Sequence, residues 1–149
     1  VARYHNIFGP EGTWQGGREK APAAICRKIA MAKDEDMIEV WGDGLQTRSF
    51  LIVDECIEGT LKLMRSDCKI PLNIGSDEMV TINQLVDMVA IIANKKITKK
   101  HIKGPQGVRG RNSENTLIKK ELNWAPTNSL KWGLEKTYSW IINEIKKDY

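Results

Sequence analysis

A chain of 149 residues with 41% hydrophobic and 28% charged content suits one ordinary soluble domain with a real core. Its 23 Lys and Arg against 19 Asp and Glu leave a formal charge of +4, which favours anionic partners without singling out nucleic acid. There is no apolar run of membrane-span length and no signal-peptide pattern. Cys26, Cys56 and Cys68 are odd in number and lack a Cys-x-x-Cys pair. That argues against a disulfide framework or zinc site and for a reducing, cytoplasmic setting. His5 and His101 have no neighbours at metal-ligand spacing.

The chain opens "VARYHNIFGP", without Met, as though already inside a strand, so the expectation is the C-terminal part of a longer protein. Residues 1–8 read as one short strand, followed by the loop "GPEGTWQGG". Pro22 suits a first helical turn, and Ile25, Ile29 and Ala32 continue an apolar stripe, giving a helix to about residue 32. "MIEVW" is a strand, "GDG" a turn and "SFLIV" a buried strand leading into a helix with Ile57, Leu61 and Met64 on one face. "PLNIG" is another strand. Thr81 and Gln84 have capping-box spacing before a helix carrying Leu85, Met88, Val89 and Ile92. "ITKKHIK" reads as an edge strand because of its lysines. A short helix runs through Leu122, and Ser129 caps a final helix bearing Leu130, Leu134, Ile141 and Ile145. Read this way, the element order is that of a small α+β unit.

Three loops, "GPEGTWQGGREK", "GDGLQTRSF" and "GPQGVRGRNSEN", each join glycine to Arg or Lys. Glycine permits close backbone approach, and an arginine fork matches a phosphate oxygen pair. Solvated turns have the same composition. Three such loops in one small unit point to convergence on an anionic, phosphorylated ligand.

"ARYHNIFGP", "WGDGLQTRSFLIVDE", "LNIGSDEMVTINQL" and "LNWAPTNSLKWGLEKTYSWI" resemble segments of the extended short-chain dehydrogenase/reductase enzymes that act on nucleotide sugars. "GGREKAPAA" and "GVRGRNS" are similar to the branch of that family that epimerises GDP-mannose at C3 and C5. The resemblance covers essentially the whole chain. It implies an α/β fold: residues 1–149 as the nucleotide-sugar-binding portion of a Rossmann-like enzyme, with residues 1–35 a strand and helix completing a Rossmann domain. It implies that the NAD-binding N-terminal half is missing, and with it the glycine fingerprint, the Tyr-x-x-x-Lys pair and an acid/base cysteine. None of the three cysteines here takes that role. NAD is therefore expected on the absent half, and the fragment alone is expected to be inactive. The full-length enzyme is expected to be a homodimer converting GDP-mannose to GDP-L-galactose, with GDP-L-gulose as a side product. Asn123, in "ELNWAP", stands where relatives often carry Gly.

In that reaction a C4 ketone acidifies C3 and C5, and inversion needs an acid and a base on opposite faces of the ring. The resemblance assigns one post to Lys20, beside Arg18 at the positive end of a helix, with Glu19 pulling the other way. Its other reading is a lysine neutralising phosphate or lying in solvent. The resemblance implies substrate contacts from Asn6, Glu19, Lys20, Ala21, Lys28, Gln46, Thr47, Arg48 and Arg111. Asn6 is also a common turn former, Lys28 a candidate for a solvated helix face, and Arg109 a rival to Arg111 for the diphosphate. Asp54 and Glu55 complement a helix dipole. Trp14, Trp41, Trp124, Trp132 and Tyr138 suit core packing better than base stacking, for most of them. The alternatives are another nucleotide-sugar epimerase or dehydratase, against which "GGREKAPAA" argues, and a non-catalytic module binding nucleotide sugars or nucleic acid. The spread-out Lys and Arg residues disfavour nucleic acid.

Overall fold

The structure, a computed structural model, describes residues 1–105 and 107–147. Gln106 of the third glycine-rich loop, and Asp148 and Tyr149 at the end of the expected nucleotide-sugar-binding portion, lie outside the described residues. The elements run β1 (Ala2–Tyr4), β2 (Ile7–Phe8), α1 (Ala21–Met31), β3 (Met37–Trp41), β4 (Thr47–Ser49), β5 (Leu51–Ile52) and α2 (Val53–Met64). They continue β6 (Leu72–Ile74), β7 (Met79–Thr81), α3 (Ile82–Ala93), β8 (Thr98–Ile102), β9 (Gly110–Arg111), α4 (Thr116–Leu122) and α5 (Leu130–Lys147).

The strands form small, mostly parallel pairings. β1 pairs with β6, β2 with β5 and β3 with β8, all parallel, while β4 lies between antiparallel β7 and parallel β9. The single strand expected over residues 1–8 is broken. Asn6 takes a left-handed φ of 47°, so β1 and β2 join different partners. "SFLIV" is divided in the same way: Ser49 ends β4, Leu51–Ile52 pair with β2, and Val53 already opens α2.

Two hydrophobic clusters organise these pieces. In the larger, Ile25, Cys26 and Ile29 of α1 meet Leu85, Val86 and Val89 of α3 and Leu134, Tyr138 and Ile141 of α5. Each fully buried aliphatic side chain there contributes about 1.5–3 kcal/mol. Gly133 of α5 faces β2 and β5 so closely that an added Cβ would lie 2.9 Å from Phe8 Cζ. The smaller cluster joins Leu51, Leu72, Ile74, Ile118 and Trp124.

The local signals behave as their chemistry requires. Thr81 Oγ1 accepts from the Gln84 N–H at 3.0 Å, and the Gln84 side chain accepts from the Thr81 N–H at 2.8 Å, a complete capping box. Ser129 Oγ accepts from the Trp132 N–H at 3.3 Å at the start of α5. Asn123 ends α4 with φ 47° and ψ 44°, a conformation asparagine tolerates in place of glycine. One expectation is corrected in its consequence: Ile57, Leu61 and Met64 do share a face of α2, but it is exposed. The inward side of α2 is Glu55, Cys56 and Gly59. Glu55 is held there because its Oε1 accepts from the backbone N–H and side chain of both Thr127 and Asn128, fixing the turn before α5.

Candidate functional site

A cavity of about 400 Å³ lies between α1 and β3. Four residues expected to contact substrate line it: Glu19, Ala21, Lys28 and Gln46. Trp41 completes the wall from β3. Trp41 is 53% exposed and so a rim residue, unlike buried Trp124 and Tyr138. Gly104 packs so tightly against the Trp41 ring that an added Cβ would sit 2.7 Å from Cγ. Trp14 is half-buried edge-on to Trp140, 6.4 Å between centroids, and Trp132 carries Lys136 Nζ 4.5 Å from its ring centroid.

Lys28 does not splay into solvent. It lies in the last turn of α1 and donates from Nζ to the Glu39 carbonyl of β3 at 2.8 Å, tying helix to strand along the cavity. Gln46 is 93% buried, being 7% exposed. Its Nε2 donates to the Trp41 carbonyl at 3.1 Å, while its Oε1 is a buried acceptor without a partner. Buried acceptors are normally satisfied, so an orphan in a cavity wall marks a place where a ligand donor fits. The hydroxyl of Ser49, further along β4, is the other such atom among the described residues.

Beyond Gln46 the chain becomes β4, and its pairing with β9 sets Arg48 directly opposite Arg111 in register. Arg48 is partly engaged: Nη1 donates to the Thr47 carbonyl at 2.7 Å and Nη2 to the Val108 carbonyl at 2.6 Å. Three of the five guanidinium N–H donors remain. Arg109 is occupied differently. Its Nη1 donates to both carboxylate oxygens of Asp43, at 2.9 and 2.8 Å. The Leu45 N–H and then the Arg109 guanidinium hold the Asp43 carboxyl below its ordinary value. Arg111 is exposed, with no hydrogen bond or ion pair from its guanidinium among the described residues. Thr47 lies between the two arms of the site, its Oγ1 3.0 Å from where a Cβ on Gly110 would be.

Lys20 is the N-cap of α1, with extended backbone (φ −72°, ψ 156°) and a carbonyl that accepts the first helical hydrogen bond, from the Ala24 N–H at 3.0 Å. Its side chain is exposed. Glu19 turns away from it: Oε1 pairs with Arg27 Nη2 at 3.0 Å and Oε2 accepts the Gly17 N–H at 2.7 Å. Burial raises the Glu19 pKa, but its own N–H, Arg27 and the Gly17 N–H outweigh it, and the carboxyl lies below its ordinary value. Asn6 spends one amide donor internally, on the Ser49 carbonyl at 3.0 Å. The structure thus gathers Glu19, Ala21, Lys28 and Gln46 at one cavity and Arg48 with Arg111 on one pair of strands, while Asn6 sits at the junction of β1 and β2. Arg27 and Glu39 also line the cavity, and nothing in their sequence spacing marked them.

The arrangement suits a nucleoside diphosphate: an aromatic rim, a lysine and an unpaired acceptor at a cavity, then two arginines. A dinucleotide cradle is a different matter. The Gly-x-Gly turn at Gly42–Gly44 connects β3 to β4 rather than to a helix N-terminus, so the described residues do not fit an NAD pyrophosphate site. Among the described residues no helix is long and apolar enough to cross a membrane.

The chain is 57% identical to GDP-mannose 3,5-epimerase from Arabidopsis thaliana over 99% of its own length and 39% of the relative's. It therefore spans about two fifths of the length of these curated relatives. The solved UDP-glucose 4-epimerase from Thermotoga maritima, with UDP-glucose, superposes with a TM-score of 0.87 at 25% identity, covering 97% of this chain and 46% of that one. UDP-glucuronic acid 4-epimerase from Bacillus cereus, with UDP-glucuronic acid and NAD, gives a TM-score of 0.82 at 28% identity, covering 99% and 45%. The family described as NAD dependent epimerase/dehydratase matches residues 1–75. By its fold and by that match, the chain belongs to the NAD dependent epimerase/dehydratase family.

Proposed function

We propose that this chain is the nucleotide-sugar-binding portion of a GDP-mannose 3,5-epimerase, with residues 1–35 completing a Rossmann domain and the whole protein a cytoplasmic homodimer. The observation that carries the reading is the gap in likeness. The GDP-mannose relative shares twice the identity of the UDP-glucuronate 4-epimerase from Thermodesulfobacterium geofontis over nearly the same stretch, 57% against 28%. The cavity between α1 and β3 receives the nucleoside, with Gln46 Oε1 accepting from a base N–H and Trp41 flanking the ring. Arg48 and Arg111 hold the diphosphate.

The ketone at C4 that acidifies C3 and C5 is made with a nicotinamide cofactor, and no part of that oxidation is assigned to these residues. Their contribution is proton transfer. Lys20 takes one of the two posts. As base, its amine nitrogen accepts the proton from the carbon beside the ketone, and the C–H electron pair moves into the enolate. As acid, its ammonium returns a proton to that carbon from the other face. Its place at the tip of α1, two turns ahead of Lys28, supports this reading.

The test is isotope uptake by the full open reading frame, wild type against Lys20→Ala, with GDP-mannose in deuterated water. Deuterium entering C3 and C5 in the wild type, and at least about 100-fold more slowly in Lys20→Ala, is the expected result, within the range of general acid–base contributions. Uptake at equal rates would remove Lys20 from the chemistry. No uptake by either protein, with GDP still bound, would leave a nucleotide-sugar enzyme of another specificity.

A further inference from the structure

The loop that carries Lys20 has little of its own to hold it still. Gly16 and Gly17 both take positive φ, 89° and 84°, and no atom approaches within 4 Å of where a Cβ on either would lie. A two-glycine hinge in open space has a large conformational freedom to lose. Yet its two ends are stapled to one side chain. Arg27, two turns into α1, donates from Nε to the Trp14 carbonyl at 3.1 Å and from Nη2 to Glu19 Oε1 at 3.0 Å. The Glu19 carboxylate passes the constraint back to the hinge through the Gly17 N–H. The Glu19 side chain is only 8% exposed, so this pair is shielded where most surface ion pairs are not. At the other end Trp14 is set against Trp140 of α5. A continuous path therefore runs from the core helix α5 through Trp14, Arg27 and Glu19 to the residue next to Lys20.

We propose that Arg27 is a positioning residue for the proton transfer: through Glu19 and the Trp14 carbonyl it fixes the Gly16–Gly17 hinge and so the place from which Lys20 reaches the sugar. Glu19, expected from sequence to contact substrate, belongs to this support. The inference rests on the reading of Lys20 given above. A displacement of about 1 Å in a reacting group costs on the order of 100-fold in rate, so loosening the staple shows in the proton transfer before it shows in binding.

The experiment measures deuterium uptake at C3 and C5 and the KM for GDP-mannose with the full open reading frame, in Arg27→Met, Arg27→Lys, Glu19→Gln and the Arg27→Met/Glu19→Gln pair. Arg27→Met is expected to lower the uptake rate about 100-fold with KM within about threefold of wild type. Arg27→Lys, which reaches Glu19 but not both partners, recovers part of the loss. Glu19→Gln, which keeps an acceptor oxygen, costs about tenfold, and the pair is no slower than Arg27→Met alone. If Arg27→Met fails to fold, the Arg27→Lys and Glu19→Gln rates decide. A rise in KM at unchanged turnover would make Arg27 a direct ligand contact and overturn the proposal. So would wild-type uptake in Arg27→Lys and Glu19→Gln together. Lys20→Ala is run alongside: unimpaired uptake there brings down the reading of Lys20 on which the inference rests, whereas lost uptake there with unimpaired Arg27 variants brings down the positioning role alone.

Discussion

Replacing Arg111 with Met is expected to weaken GDP binding at least about tenfold, whereas Arg109→Met changes it by less than about fivefold. Arg109 just precedes β9 and Arg111 ends it, two positions apart, and composition does not separate them. Their partners do. Arg109 holds Asp43 with both carboxylate oxygens on one nitrogen, 59% and 46% of the respective side chains being exposed. Its loss removes an ion pair of the exposed kind, which is of small consequence for binding elsewhere. Arg111 stands opposite Arg48 in the β4–β9 register, and its guanidinium has no hydrogen bond or ion pair among the described residues. In the proposed function, Arg111 is therefore free to engage the diphosphate where Arg109 is not. A charge-assisted hydrogen bond is worth about 1.5–3 kcal/mol, or about 10- to 150-fold in affinity, and the exposure of Arg111 places its effect at the lower end.

Calorimetric titration of GDP into wild type and both variants, at low and at physiological ionic strength, checks this. The deficit of Arg111→Met should shrink as salt rises, because a partly solvated guanidinium–phosphate contact is screened. The reasoning fails if Arg109→Met is the more damaging change, since the Asp43 pair would then be something a ligand displaces rather than a brace for the turn.

Two further outcomes follow from the environments of single groups. Burial pushes the Cys26 thiol up to about 12, so a thiol-alkylating reagent at pH 8 should label the half-exposed Cys68 in the native protein and leave Cys26 untouched, as peptide mapping would show; rapid native labelling of Cys26 would contradict its burial between α1 and α5. The Glu19 carboxyl titrates below its ordinary 4.5 when folded, so its contribution to the loop is complete above that pH and is lost as pH falls through the lower folded value. Glu19→Gln should therefore flatten the acid limb of a stability–pH curve, and an unchanged limb would refute the staple's ionic character.

What the sequence made legible was short-range chemistry. Pro22 in the first turn of α1, the Thr81–Gln84 box, Ser129 before α5 and Asn123 after α4 each act within a few residues of themselves, so their spacing carried the whole argument. β7 and β9 were not legible. β9 has two residues, and its existence depends on β4, which is about sixty residues away in the chain. The break at Asn6 is likewise set from outside, by β6 on one side and β5 on the other. The apolar stripe of α2 showed that a face exists, but periodicity is silent about what lies against it. At the site, the family resemblance led to Lys28, Gln46 and Arg48. Arg27 was invisible because its partners, a carbonyl thirteen residues back and a carboxylate eight residues back, meet it only when the loop folds over α1.

The proposed proton transfer sets a geometric condition, and the braces on one helix, α1, answer to it. In the proposed function the nucleotide is held from β3, β4 and β9, whereas Lys20, the N-cap of α1, moves the proton. Their relative position must hold to a fraction of an ångström for the chemistry to proceed. α1 is tied to the rest at three levels. Lys28 bonds it to the Glu39 carbonyl of β3 along the cavity, and Arg27 and Glu19 fix the loop at its N-terminus. Lys95, just after α3, donates from one ammonium to the carbonyls of Ile29, Ala30 and Ala32, at 2.8, 3.1 and 2.6 Å, closing its C-terminus. A cation at that end also satisfies carbonyls that no helical N–H can reach. Each tie includes a side-chain cation on a backbone carbonyl oxygen, an acceptor that does not depend on the side chain of the residue supplying it.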